Sequence, residues 1–174
     1  MRRYAAILLL FLPTLLLAQD EAESTLTEVG QLVPDFSVTT IDENIFDIQK
    51  LRGDVVLLNF FATWCPPCMK EMPHLEKDIW QVFKESGLIV IAIGIEHSAV
   101  ELQKFNKEKG FTFHIAPDAK RDVFKLFASA YIPRNVLIDK QGKIVYQSVG
   151  FEKKDFAELK NKIASLVSAR DEGN

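Results

Sequence analysis

The sequence is short of basic residues and of cysteine, and each shortage excludes something. Lys and Arg number 21 against 24 Asp and Glu, a net charge of −3, so nothing cationic is left over to hold nucleic acid. Only Cys65 and Cys68 occur, and no cysteine follows the N-terminal apolar run, which argues against a cysteine-linked lipid anchor there. That run, Tyr4 to Leu17, falls short of the roughly 20 apolar residues of an ordinary membrane span and is interrupted by Pro13. There is no internal repeat and no low-complexity tract, and 174 residues suit one well-filled domain and are too few for two.

What the N-terminus does have is a basic start at Arg2 and Arg3, the apolar run, and a small residue, Ala18, before polar sequence begins. This is the pattern of an export signal and predicts cleavage near Ala18. Retention as an anchor stays open as the second reading, because local bilayer thinning accommodates a slightly short helix. Loss of residues 1–18 takes Arg2 and Arg3 from the basic side and moves the net charge from −3 to about −5. Export would deliver both cysteines to a periplasmic or other extracytoplasmic compartment where disulfides persist. Residues 19–30 are acidic and poor in apolar side chains and read as a flexible spacer. The domain is expected over 31–169, with a frayed tail at 170–174.

Along the domain, Val33 to Asp47 suggests a hairpin turning at Asp42-Glu43-Asn44. Val55 to Phe61 is apolar except for Asn59, as in a strand buried on both faces. A helix is expected over Pro66 to Glu85, kinked by Pro73. Leu88 to Ile95 reads as a second buried strand and Ala99 to Lys109 as a helix. Phe111 to Ile115 suggests a short strand, and Asp118 to Ala130 a helix capped by Asp118. Asn135 to Asp139 and Ile144 to Val149 should pair across Lys140-Gln141-Gly142, and Lys153 to Ser168 should form a closing helix. Alternating strands and helices imply parallel pairing through right-handed crossovers, hence an α/β fold.

Cys65-Pro66-Pro67-Cys68 falls where the first buried strand gives way to a helix. A helix N-terminus carries about half a positive charge and unpaired N–H groups, which favour a thiolate at Cys65. Pro66 suits the first helical position, but two prolines remove two backbone donors near the sulfur, so a modest depression of the thiol pKa and a reducing couple are expected. A purely structural disulfide is the competing reading. Closing a loop of about four residues would contribute about 2 kcal/mol, against about 3 for a loop of fifteen, so a stabilising staple would join distant segments instead. Met69, Met72 and His74 lie close to the cysteines and leave a Cu(I) site as a further alternative, although Met is more often packing material.

The segment Asn59-Phe60-Phe61-Ala62-Thr63-Trp64-Cys65-Pro66-Pro67-Cys68-Met69-Lys70-Glu71-Met72-Pro73, together with Tyr131-Ile132-Pro133, resembles the active site of the TlpA/ResA-like thioredoxin family. The similarity runs from about Val33 to Val167. It implies a thioredoxin-like fold: a central mixed β-sheet flanked by helices, with an added N-terminal β-hairpin and a central insertion. It also implies an exported or membrane-tethered thiol-disulfide oxidoreductase, commonly a reductase serving cytochrome c maturation or other periplasmic clients, with a membrane electron donor and no cofactor. Carried over by residue, Cys65 is the attacking thiol, Cys68 the resolving thiol, Trp64 the cover of the sulfur pair and Pro133 a cis-proline facing it. Tyr131 and Ile132 would then meet the client. Many thioredoxins have a buried aspartate where this chain has Asn59, and an amide cannot serve as that base. The ResA-like relatives have a glutamate near the end of the next central strand, where this chain has Glu96 and His97. The resemblance thus implies the proton-handling role for one of these two, with Glu96 favoured because a partly buried carboxylate can be tuned toward neutrality. The opposing reading is a redox-silent binding domain or copper carrier on the same scaffold. A peroxidase of the related fold fits less well, because it usually sets its cysteine differently.

Overall fold

A computed structural model describes residues 21–168 of the chain. The segment expected to be an export signal, Gln19 and Asp20 of the expected spacer, and residues 169–174 lie outside the described residues. Among the described residues no helix is long and apolar enough to cross a membrane.

The centre of the molecule is β3 (Val55–Phe61), every residue of which is buried. A strand with no exposed face must be covered on both sides, and its apolar, β-branched composition supplies the side chains for that. β3 lies parallel to β4 (Leu88–Ile95), which lies parallel to β5 (His114–Asp118). On its other edge β3 pairs antiparallel with β6 (Arg134–Ile138), and β6 with β7 (Ile144–Val149). The five-stranded order is therefore β5-β4-β3-β6-β7. Helices α1 (Pro66–His74), α2 (Ala99–Lys109) and α3 (Lys153–Ser168) accompany the sheet. A separate hairpin of β1 (Ser37–Thr39) and β2 (Ile45–Asp47) precedes it. This is the mixed α/β architecture expected, hairpin included.

Four expectations need correction. The helix after the cysteines is not uniform: α1 passes into a π segment over Leu75–Trp80, a short α turn at Gln81–Phe83 and a 3-10 turn at Lys84–Ser86. Pro73 has no N–H to donate to the carbonyl four residues back, and the winding changes just beyond it rather than the helix simply kinking. The strand expected at Phe111 to Ile115 is displaced to His114–Asp118. Phe111 and Phe113 stack on each other at 5.2 Å, and Phe111 also meets Phe105 of α2.

The helix expected over Asp118 to Ala130 is reduced to a 3-10 turn at Phe124–Leu126. Asp118 ends β5 instead, and its Oδ2 accepts the Phe124 N–H at 2.8 Å. Beyond that turn the backbone is committed elsewhere: the Phe127 carbonyl accepts from Leu26 N and the Ser129 N–H donates to the Ser24 carbonyl. The same bonds overturn the flexible spacer for residues 21–30. Ser24 and Thr27 are buried, Thr25 bridges Ala128, and Thr27 exchanges side-chain and backbone hydrogen bonds with Gln147 of β7. Short hydroxyl side chains, not apolar ones, attach this arm, so its composition resembled a linker.

Candidate active site

β3 ends at Phe61, and the chain turns through Ala62, Thr63 and Trp64 to Cys65, the N-cap of α1. The turn is fixed from two sides. The Cys65 N–H donates to the Ala62 carbonyl at 3.1 Å, and the Thr63 N–H donates to Nε2 of buried His97 at 3.0 Å. Because Nε2 accepts there, the proton of the neutral ring sits on Nδ1. His97 thus holds the turn that presents the cysteine. Pro66 and Pro67 occupy the first helical positions, where a missing N–H costs nothing.

Cys65 and Cys68 are joined by a disulfide. Cys65 is 4 % exposed and Cys68 is fully buried, so an incoming sulfur can reach only the first of them. Cys65 Sγ accepts the Cys68 N–H at 3.3 Å, the capping bond that would also favour a thiolate after reduction.

Above Cys65 opens a groove of about 480 Å³, lined among others by Trp64, Pro66, Glu96, Tyr131 and Ile132. Trp64 is 60 % exposed and stands at the rim rather than in the core. The Ile132–Pro133 peptide is cis, and the Ile132 carbonyl oxygen lies 3.7 Å from Cys65 Sγ. The loop therefore faces the sulfur through Ile132, while the Pro133 carbonyl is taken by Gly150 N. Glu96, Arg121 and Tyr131 all have left-handed backbone and all line the groove. Non-glycine residues in that region are costly and gather where a site needs a special geometry. Glu96 pairs with Arg121 at 3.5 Å on the groove wall. Of the residues proposed for proton handling, one is thus in the groove and the other beneath the turn.

Besides Glu96 and His97 there stands a third candidate for proton handling, a carboxyl to which the sequence pattern assigned no role. Glu71 follows Cys68 by one helical turn, and Cys68, Glu71 and Met72 form the buried stripe of α1. Its carboxyl accepts from Asn59 Nδ2 at 2.9 Å and from Asn135 Nδ2 at 2.6 Å. Asn59 also donates to Asn135 Oδ1 at 2.9 Å, which ties the two amides together across paired strands β3 and β6. Burial raises the Glu71 pKa from 4.5 to about 7, against the opposing pull of the Asn135 and Asn59 hydrogen bonds. The readable signal was a lone carboxylate at the spacing of Cys68, Met72 and Leu75.

The residues near a possible copper site are otherwise engaged. Met72 is fully buried, Met69 packs against the core, and His74 Nδ1 is 2.9 Å from Asp78 Oδ2. Among the described residues no group of His, Cys, Asp and Glu is placed to hold a metal ion.

Known proteins are similar to this chain over most of its length. The model of the Redoxin family matches residues 28–163. Thiol-disulfide oxidoreductase ResA of Bacillus thuringiensis is 31 % identical over 134 residues, covering 77 % of either chain. ResA of Geobacillus thermodenitrificans is 32 % identical over 141 residues, covering 79 % of this chain and 80 % of the relative. Among solved structures, a candidate protein disulfide isomerase from Bacteroides thetaiotaomicron superposes with a TM-score of 0.80 at 36 % identity, over 84 % of this chain and 94 % of its own. A candidate thiol:disulfide interchange protein DsbE from Chlorobium tepidum gives 0.74 at 28 % identity, over 81 % and 99 %. The chain belongs to the Redoxin family and is a thiol-disulfide oxidoreductase of the ResA type, with Cys65 and Cys68 as its Cys-x-x-Cys pair.

Proposed function

We propose that the protein acts outside the cytoplasm as a reductase of disulfides in other exported proteins, apocytochromes c among them, and is itself re-reduced by a membrane electron donor. The N-terminal pattern of Arg2, Arg3 and Tyr4 to Leu17 supports the location, and similarity to ResA and DsbE supports the client class.

The observation that carries the reading is the pairing of an accessible Cys65 at the groove floor with a buried Cys68 one turn above a carboxyl poised near neutrality. The Cys65 thiolate attacks one sulfur of the client disulfide, forming a mixed disulfide and releasing the other client sulfur as a thiolate. Cys68 gives its proton to Glu71 and attacks Cys65 Sγ. The second client thiolate leaves, and both client thiolates take up protons. The client gains two electrons, and this chain ends as the Cys65–Cys68 disulfide. Trp64, Tyr131 and Ile132 contact the client, with the Ile132 backbone pairing to an extended segment beside the sulfur. Pro66 and Pro67 keep the couple reducing by withholding donors from Cys65.

Cys68→Ser tests this directly, since the mixed disulfide then cannot resolve. Exported proteins joined to Cys65 and released by dithiothreitol are expected. Recovery of the variant without covalent partners, while its Cys65 reacts with iodoacetamide, would overturn the reading.

A further inference from the structure

Arg134 follows Pro133 directly and is 3 % exposed, yet it lines no part of the groove and no step above uses it. Burying a guanidinium is expensive unless its donors are satisfied, and here they are divided between two segments. Nε donates to the carbonyls of Ala130 and Tyr131, both at 2.9 Å. Nη1 donates to Thr25 Oγ1 at 2.8 Å, and Nη2 to Ser24 Oγ. The two hydroxyls are not casual acceptors, since each donates onward to the Glu21 carbonyl. Next to this cluster, Leu26 N and the Ser24 carbonyl bond the backbone of Phe127 and Ser129. One face of the guanidinium therefore holds the loop that carries Tyr131 and Ile132, and the other holds the N-terminal arm.

We propose that Arg134, with Ser24 and Thr25 of the arm, is a positioning element that fixes the Ile132 carbonyl over Cys65 for pairing with a client backbone. The argument is geometric. Tyr131 has left-handed backbone, a conformation that the surroundings must impose, and the Arg134 Nε–H clamps its carbonyl and the one before it. Without the clamp, the loop would have to be ordered when a client binds, and that cost would fall on client binding rather than on the chemistry of the sulfur. A client that pairs with the loop backbone would be affected, and a small disulfide that touches only Cys65 would be affected much less. The arm thus serves the active site from outside the thioredoxin-like sheet. This inference rests on the groove being the client site.

The test uses the full chain carrying Ser24→Ala/Thr25→Ala, which removes both hydroxyl acceptors and leaves Arg134 in place, and separately Arg134→Lys, which keeps the charge and loses the fork. For each, reduction of a disulfide-bonded peptide and of oxidised glutathione is measured. Amide hydrogen exchange of residues 127–132 is compared with that of β3. The expected result is a loss of about ten-fold in kcat/KM for the peptide, carried by KM. That loss should exceed the loss for glutathione at least several-fold, with faster exchange confined to 127–132. Equal losses on both disulfides, or exchange that rises in β3 as much as in the loop, would overturn the proposal, and so would no loss on the peptide. If the unaltered protein reduces glutathione but no peptide disulfide, the functional reading fails, while the exchange comparison still decides whether the arm holds the loop.

Discussion

Replacing Glu71 by Gln removes a buried carboxyl one helical turn from Cys68, and its effect on stability can be worked out with sign. The folded protein holds the carboxyl midpoint near 7 instead of 4.5, because burial disfavours the charged form. The group's pKa is raised on folding, so its contribution to stability is intact below about pH 4.5 and is lost as pH rises through 7. At about 1.4 kcal/mol for each tenfold change in proton affinity, the loss amounts to about 3 kcal/mol between pH 4 and pH 8. Full burial means that solvent does not screen it away. In the variant that slope disappears. A fixed cost replaces it, since Asn59 Nδ2 and Asn135 Nδ2 each point at a carboxyl oxygen and one must now face the Gln amide nitrogen. A mismatched buried donor costs about 1–3 kcal/mol at every pH. The variant should therefore be weaker than the parent at pH 4 and close to parity at pH 8. Urea denaturation of the disulfide form of both proteins, followed across that range, reads this directly. Parallel stability curves for the two proteins would refute the assignment. In the reductase assay the same variant should lose the limb of the pH profile centred near 7.

Other sites make separate predictions. Gly94→Ala should cost about 1–3 kcal/mol in thermal or urea unfolding, because a Cβ there would meet Leu102 Cδ1 at 2.7 Å. His97→Gln should slow Cys65 alkylation by loosening the turn that Thr63 anchors, whereas Glu96→Gln should alter the peptide KM through the groove wall. If Glu96→Gln instead removes the pH limb near 7, the proton acceptor is Glu96 and not Glu71. Pro133→Ala should impair client release more than a substitution elsewhere in a loop, seen as mixed disulfide persisting on a non-reducing gel. Mass spectrometry of exported protein should find a start near Gln19 or Asp20, whereas an intact Met1 on membranes would establish the anchor.

The parts of the fold that could be read from sequence were those where one physical pattern acted alone. Val55 to Phe61 needed only its apolar run to be placed as a central strand, and Cys65-Pro66-Pro67-Cys68 needed only the strand before it and the helix after it. The Phe124 region failed because its apolar spacing suits a helix, while its carbonyl and N–H groups are claimed by an arm about a hundred residues earlier in the chain. No local window contains that competition. The arm failed for the converse reason: Ser24, Thr25 and Thr27 are the residues of a linker unless a guanidinium or a sheet edge awaits them. Glu71 lay in full view within the motif, but a glutamate on a helix is ordinarily solvated. Only the cross-strand pair of Asn59 and Asn135 makes its burial tolerable, and Asn135 lies 64 residues away.

The position of that carboxyl has a mechanical consequence. A base on β3, at the place of Asn59, would be carried by the sheet and would stand apart from the helix bearing the cysteines. Glu71 is carried by the same helix as Cys68, so in the proposed relay the thiol and its proton acceptor move together whatever a bound client does to the groove. The amides of Asn59 and Asn135 then do from the sheet what a base there would have had to do alone. They fix where the carboxyl points and oppose the rise in its pKa that burial causes. Without them the carboxyl would hold its proton more tightly, and Cys68 would have nowhere to deliver its own near neutral pH. With stronger donors in their place the midpoint would fall, and Glu71 would be too weak a base to take that proton. Two neutral amides leave it near 7, where taking up a proton and losing it again are both accessible near neutral pH.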